Sequence, residues 1–159
     1  MADGESTPTS GRTAVGPEEA ALQDALAAAH VAVWGYGVVG AALPGTDREP
    51  ADVALAAHRD VRDEVAGLLD ARGVDPVPAE AAYALPFPVL SPVDAAALAV
   101  TLEDGVAAAW AWVLDQAGER STRAWAVVVL ADAEVRAVAW RAAAGLTPVT
   151  TAFPGLPGS

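Results

Sequence analysis

The chain of 159 residues contains no cysteine, which excludes disulfides, thiolate nucleophiles and zinc or iron–sulfur sites built on cysteine. Positive charge is also scarce. Lys and Arg together number 9, all of them Arg, against 21 Asp and Glu, which gives a formal net charge of -12. The arginines form no cluster in the sequence, so nucleic acid and anionic membranes are not expected partners, because both are attracted by clustered cations.

A period-two pattern is also missing. No window alternates convincingly between apolar and polar residues, so a β-sheet is not expected. Hydrophobic residues make up 53% of the chain, ample for one packed core at this length. Alanine accounts for about a quarter of the residues, which favours helices and permits close approach between them. The composition therefore predicts a single all-α domain.

The first residues lack the features of a targeting segment. Residues 1–16 are mostly Ser, Thr, Gly and Pro without an apolar stretch, so we expect a disordered tail and a cytoplasmic protein. Residues 25–46 carry no full charge and are long enough to raise a transmembrane span. However, this stretch is rich in Ala and Gly, contains His30 and Pro44, and is flanked by acidic residues. We interpret it as a buried helix of a bundle.

Four helices are predicted from their start and stop signals. Proline or serine stands where each should begin, and glycine or proline stands near each expected end. The bundle they form is expected over residues 17–145, followed by an irregular tail over 146–159. The predicted bounds are Pro17 to Leu43, Pro50 to Gly73, Ser91 to Gly118 and Ser121 to Gly145.

The links predict how the helices are connected. Short links make helices 1 and 2, and helices 3 and 4, antiparallel hairpins. The Pro-rich link from Val74 to Leu90, at roughly 3.3 Å per extended residue, can travel the length of a 24-residue helix, about 36 Å. It therefore predicts a long crossover of the ferritin type between helices 2 and 3. The apolar side chains expected to lie against the helices are Tyr83, Leu85, Phe87 and Val89.

Glycines in the first helix also predict a feature of the packing. Gly35, Gly37 and Gly40 lie within this helix, where each glycine costs roughly 1 kcal/mol relative to alanine. We interpret them as marking either a neighbouring helix that crosses very close or fraying of the last turns.

Several strings in the sequence are similar to a known family. They are AHVAVWGYGVVGA at 29–41, AHRDVRD at 57–63, YALPFPV at 83–89, LEDGVAAAW at 102–110 and TAFPGL at 151–156. They resemble an uncharacterised ferritin-like family of Ala-rich proteins from high-GC bacteria. The resemblance implies a ferritin-like four-helix bundle that self-associates and has no established activity. Members commonly carry Glu directly before the first helical His, where this chain has Ala29.

The complete ligand set of ferritin-like di-metal proteins is absent, since no Glu-x-x-His motif occurs. Each predicted helix nevertheless offers one ionisable side chain near its midpoint: His30, His58, Glu103 and Glu134. We expect all four to face inward, each on an apolar stripe of its helix. His30 and His58 lie on the stripes 22-26-30-33-37 and 51-54-58-61-65. Glu103 and Glu134 lie on the stripes 99-103-106-110-113 and 127-131-134-138-142. If they share a layer, they either bind one divalent transition metal (Fe, Mn or Zn) or form a satisfied buried network without metal.

Three functional hypotheses follow. The first is a non-catalytic module that self-associates, as a dimer, or docks a protein partner through exposed Trp or the apolar crossover. The second is a ferritin-like protein that binds a single metal for storage, sensing or redox chemistry. The third is the binding of a small apolar ligand in a cavity between Ala-rich helices. No catalytic residue and no further cofactor are predicted.

Overall fold

The structure, a computed structural model, describes residues 15–156, and within them the chain is all-α, with four helices and no strand. Residues 1–14 of the predicted disordered tail lie outside the described residues. A short 3-10 turn, Gly45–Asp47, lies between the first two helices. The helices are α1 (Pro17–Ala42), α2 (Glu49–Ala71), α3 (Pro92–Gln116) and α4 (Arg120–Ala143).

Local signals explain the helix ends. Proline stands in the first turn of α1, α2 and α3, where a missing N–H costs no helical hydrogen bond. The Ser91 side chain caps α3 by accepting a hydrogen bond from the N–H of Asp94 at 3.1 Å. Gly73 and Gly145 adopt positive φ angles of 71° just after α2 and α4. The predicted helix bounds are therefore confirmed to within about two residues.

Contacts at the two ends of the bundle fix the helix directions. At one end, Glu18 at the start of α1 contacts Arg72 after α2, Gly118 after α3 and Thr122 in the first turn of α4. At the opposite end, the end of α1, the starts of α2 and α3 and the end of α4 surround one pocket. Helices α2 and α3 therefore run parallel, and the segment between them travels the length of the bundle. The predicted long crossover is confirmed.

Two side chains of α1 hold the beginning of the crossover. The Gln23 side chain donates to the carbonyl of Asp75 and accepts from the N–H of Val77, both at 2.7 Å. His30 Nε2 lies 3.1 Å from the carbonyl oxygen of Val77. Farther along, Phe87 packs against the core, so the crossover is tied to the bundle at several points.

The core consists of two apolar clusters, one in each half of the bundle. Helix α1 packs on α2 and α3, and α3 packs on α4, whereas the backbones of α2 and α4 approach each other much less closely. The predicted α3 stripe is buried throughout, and the α2 stripe is buried apart from a half-buried Val61. The α4 stripe is wrong: its inward residues are 122, 126, 129, 133, 137 and 140. The α1 stripe leaves the core after Leu26, and the buried face continues through 29, 32 and 36.

Within the described residues, α1 and α3 have the length and hydropathy of a membrane span. In the most apolar 18-residue stretch of each helix, the share buried inside the protein is 44% for α1 and 50% for α3. Core helices of bundles share this property, so length and hydropathy alone do not separate the two interpretations.

Residues 146–156, after α4, are irregular and pack against the bundle, whereas residues 157–159 of the predicted tail lie outside the described residues. Arg141 donates to the carbonyl of Val149 at 3.2 Å, and the Thr151 hydroxyl donates to Glu134 at 3.2 Å. A Cβ at Gly155 would stand 2.5 Å from the carbonyl oxygen of Ala107. Only glycine therefore allows the segment to lie this close to α3.

Candidate functional site

A buried carboxylate at the middle of the bundle gathers side chains from the other three helices. Glu103 of α3 is fully buried. Its Oε1 accepts hydrogen bonds from the Tyr36 hydroxyl at 2.5 Å, from His58 Nε2 at 3.0 Å and from Arg136 Nε at 2.9 Å. Arg136 donates a second hydrogen bond to Oε2 at 3.1 Å. We call these four residues the Glu103 cluster.

The Glu103 cluster lies where the two apolar core clusters meet. Its members come from α1, α2, α3 and α4, one from each helix. The Tyr36 ring stacks on the His58 ring with centroids 5.3 Å apart, and the centroid of the Trp140 ring lies 6.2 Å from that of Tyr36. Aromatic packing thus orients the Tyr36 and His58 side chains towards Glu103.

Opposing effects determine the charge state of this site. Burial alone acts to raise the pKa of Glu103, but the hydrogen bonds and charges of His58 and Arg136 outweigh it and lower the pKa. Burial and the neighbouring Glu103 carboxylate raise the pKa of Tyr36, so the phenol stays protonated and donates. Glu103 is therefore an ionised carboxylate paired with the bidentate guanidinium of Arg136.

The structure brings together two of the four residues predicted as metal ligands, His58 and Glu103. His30 is half-buried beneath the crossover, where it contacts Val77. Glu134 faces Arg141, which donates to it at 3.2 Å, and Thr151 of the C-terminal segment. The four side chains therefore do not meet in one layer. Within residues 15–156, no three His, Asp or Glu side chains group closely enough to hold a metal ion. Metal binding itself stays a prediction.

Tyr36 and Arg136 are the members that the sequence pattern missed. Helices α1 and α4 carry Ala or Val on nearly every side, so apolar periodicity does not locate their inward faces. A different signal was present for Arg136. A carboxylate predicted to be buried needs a cation, and Arg136 follows the buried Ala133 by three positions, about one helical turn.

Both oxygens of the Glu103 carboxylate accept hydrogen bonds from within the protein. Both carboxylate oxygens are engaged by Arg136, and Oε1 carries two further donors. The guanidinium supplies the positive charge that a divalent cation would supply in a metal centre. The chemistry that this geometry supports is a satisfied ionic network, which orients the four helices relative to one another.

A second ionic cluster, which we call the Glu18 cluster, joins the helix ends. The Glu18 carboxylate accepts from Arg72 and Thr122 at 2.7 Å and from the N–H groups of Gly118 and Glu119 at 2.7 and 3.0 Å. Burial acts to raise the pKa of Glu18, but these hydrogen bonds outweigh it and lower the pKa to about 2. The Glu18 cluster thus holds an ionised carboxylate where all four helices come together.

With this geometry established, comparison with known proteins identifies the family. Residues 21–158 match a family described as a domain of unknown function, DUF4439. The chain belongs to this family. The matched range of the DUF4439 chain includes both halves of the bundle and all four members of the Glu103 cluster.

A solved structure supports the all-α architecture of this DUF4439 chain. It is similar to the crystal structure of a conserved hypothetical protein from Mycobacterium tuberculosis, with a TM-score of 0.77 and 40% sequence identity. The match covers 79% of this chain and 96% of the other. No curated protein matches the chain at a significant level.

Proposed function

We propose that this chain is a ferritin-like helical bundle that works as a non-catalytic module by forming a two-fold dimer. The helix directions support the first part, because parallel α2 and α3 joined by one long crossover are typical of ferritin-like bundles. The Glu103 cluster supports only the non-catalytic role, since both oxygens of its buried carboxylate accept hydrogen bonds from within the protein.

The outward face of α4 is the observation that carries the dimer proposal. Its residues repeat at alternating spacings of four and three, the pattern by which one helix packs along another. None of them is charged, and Val128 and Val135 are 55% and 71% exposed. Val127, beside this face, is 52% exposed. We call this set the α4 face: Ala124, Val128, Ala131, Val135, Val138 and Ala142.

A second copy of the same chain fits this face better than an unrelated partner does. A two-fold interface uses the same patch on both subunits, so a single self-complementary helix face is sufficient. Ala and Val allow two helices to approach closely, and no charged residue within the face has to lose water. In the dimer, α4 of one subunit packs on α4 of the other.

The test is the molar mass in solution, measured by light scattering and sedimentation over a range of concentrations. We expect the wild-type chain to be dimeric and the Val128→Glu/Val135→Glu variant to be monomeric. Val53→Glu provides the control, because Val53 is 61% exposed on α2 and lies outside the α4 face. A wild-type protein that stays monomeric, or a double variant that stays dimeric, would refute the proposal.

The competing hypothesis, a single metal bound through His30, His58, Glu103 and Glu134, requires His30 and Glu134 to leave their present partners. It predicts that Zn²⁺, Fe²⁺ or Mn²⁺ raises the melting temperature and that the His58→Ala variant loses this effect. Elemental analysis of protein purified without chelator gives an independent result. An unchanged melting temperature and metal-free protein would reject this hypothesis.

A further inference from the structure

A cleft of about 450 Å³ lies between α1, α3 and the crossover, and no member of the Glu103 cluster or of the α4 face lines it. We call it the α1–α3 cleft. Its volume falls within the range of small-molecule pockets, about 300–1,000 Å³. Its walls come from three separate elements, represented by Trp34 and Gly35 of α1, Tyr83 and Leu85 of the crossover, and Leu102 and Gly105 of α3.

The lining determines what kind of molecule fits. None of its side chains is charged, and most are aliphatic or aromatic. The rings of Trp34 and Tyr83 stand edge to face with centroids 5.8 Å apart and form one wall. A charged ligand would lose water in this cleft without gaining a counter-charge from the lining. The lining therefore favours an uncharged, apolar molecule.

Polar recognition plays a small part here. The hydroxyl of Thr101 already donates to the carbonyl of Ala97 at 3.1 Å, and the hydroxyl of Tyr83 accepts from the N–H of Glu80 at 3.0 Å. The backbone groups of the α1 and α3 walls are paired within their helices, so these walls offer no strand edge to an extended peptide. These features favour a compact small molecule over a peptide.

Gly35 of α1 and Leu102 of α3, which both line the cleft, pack directly on each other. A Cβ at Gly35 would stand 2.7 Å from the Leu102 side chain, so at this glycine the structure agrees with a close helix crossing, one of the two interpretations of the α1 glycines. Gly105 on the opposite wall is different, because a Cβ there meets nothing within 4 Å. A larger side chain at position 105 would therefore occupy the cleft without a clash at its Cβ.

From the volume, the uncharged lining and the aromatic wall of Trp34 and Tyr83, we infer that the α1–α3 cleft is a binding site for an uncharged, apolar small molecule with one or two rings. Binding occurs through shape and burial of apolar surface rather than through a charge or a metal. The site is independent of the proposed dimer, since the α4 face contributes no residue to it.

The experiment uses the uncharged fluorescent probe N-phenyl-1-naphthylamine and the full chain. We expect saturable binding of one probe per chain, weakened roughly tenfold or more in Gly105→Leu, which corresponds to at least about 1.4 kcal/mol. Gly67→Leu is the matched control, because Gly67 is an exposed helical glycine whose Cβ also meets nothing, outside the cleft. It should bind the probe like the wild type.

Further measurements make the outcome specific. The related probe 8-anilinonaphthalene-1-sulfonate carries a negative charge and should bind roughly tenfold more weakly than the uncharged probe.

Thr101→Phe fills the cleft from a second position and should act like Gly105→Leu, which guards against misfolding of one variant. Val128→Glu/Val135→Glu should keep full probe binding, which separates this site from the dimer. Unsaturable binding, or equal binding by both cleft variants and the wild type, would overturn the inference.

Discussion

Glu103 and Glu18 are both paired with an arginine that is distant in the sequence, but their surroundings differ. Glu103 is fully buried, and all its partners are side chains on the other three helices. Glu18 is 8% exposed and has a hydroxyl and two backbone N–H groups among its partners. At the centre, the negative charge is therefore balanced by one guanidinium, whereas at the end many donors share it. The centre should be less tolerant of the loss of one partner.

The largest effect is expected from Arg136→Met. It leaves the buried Glu103 carboxylate without its cation, and breaking a buried pair in this way costs about 3–5 kcal/mol of the free energy of unfolding. Urea denaturation at neutral pH measures this loss. The Arg136→Met/Glu103→Gln variant removes the charge as well and should recover part of the stability. A loss below about 1 kcal/mol, the range of exposed ion pairs, would show that water reaches Glu103.

An intermediate effect is expected from Glu18→Gln, about 1–3 kcal/mol, the range of hydrogen bonds to a charged group. Because the folded pKa of about 2 lies below the ordinary value of 4.5, ionised Glu18 stabilises the fold above the ordinary value. This stabilisation is lost as the pH falls from 4.5 towards 2. The variant should therefore lose less stability than the wild type in that interval.

Glu19→Gln is the matched control for this acid titration. Glu19 neighbours Glu18 but makes one contact with Arg72, at 3.2 Å, and is half-buried. Its substitution should leave the dependence of stability on pH close to that of the wild type. Equal pH profiles for Glu18→Gln and wild type would contradict the role assigned to the Glu18 cluster.

The smallest effect is expected from Tyr36→Phe. It removes one donor to Glu103 while keeping the aromatic ring against His58, so we expect a loss of about 1 kcal/mol. Thermal and urea denaturation measure it. A loss comparable to that of Arg136→Met would mean that the phenol, rather than the guanidinium, controls the charge of Glu103.

The sequence predicted the course of the chain more accurately than the side chains that meet at its centre. Helix bounds depend on local residues such as Pro17, Pro92 and Gly73. The length of the link between α2 and Ser91 limits the possible topologies. Each helix contributes one polar residue to a shared centre, but α1 and α4 contribute Tyr36 and Arg136 in place of the predicted His30 and Glu134. Of the four members of the Glu103 cluster, only His58 and Glu103 were identified from the sequence, because the spacing of apolar residues indicates the inward faces of α2 and α3.

The abundance of alanine explains why the inward faces of α1 and α4 were predicted incorrectly. In α4, alanine and valine lie on the exposed side as well as on the buried one, so Glu134 was placed inward and Arg136 was missed. In α1, the buried face includes Ala29 and Ala32, which pattern alone does not distinguish from the exposed Ala27. Side-chain size and burial decide such positions only once the neighbouring helices are in place.

The separation of Glu18 from its partners along the chain has a consequence for biosynthesis. Glu18 and Thr122 are 104 residues apart, so the α1–α2 hairpin is synthesised before the start of α4. Until then, Arg72 is the cation available to Glu18 within the nascent hairpin. The end of the bundle that contains the first residue of α1 is thus among the last parts of the protein to be completed.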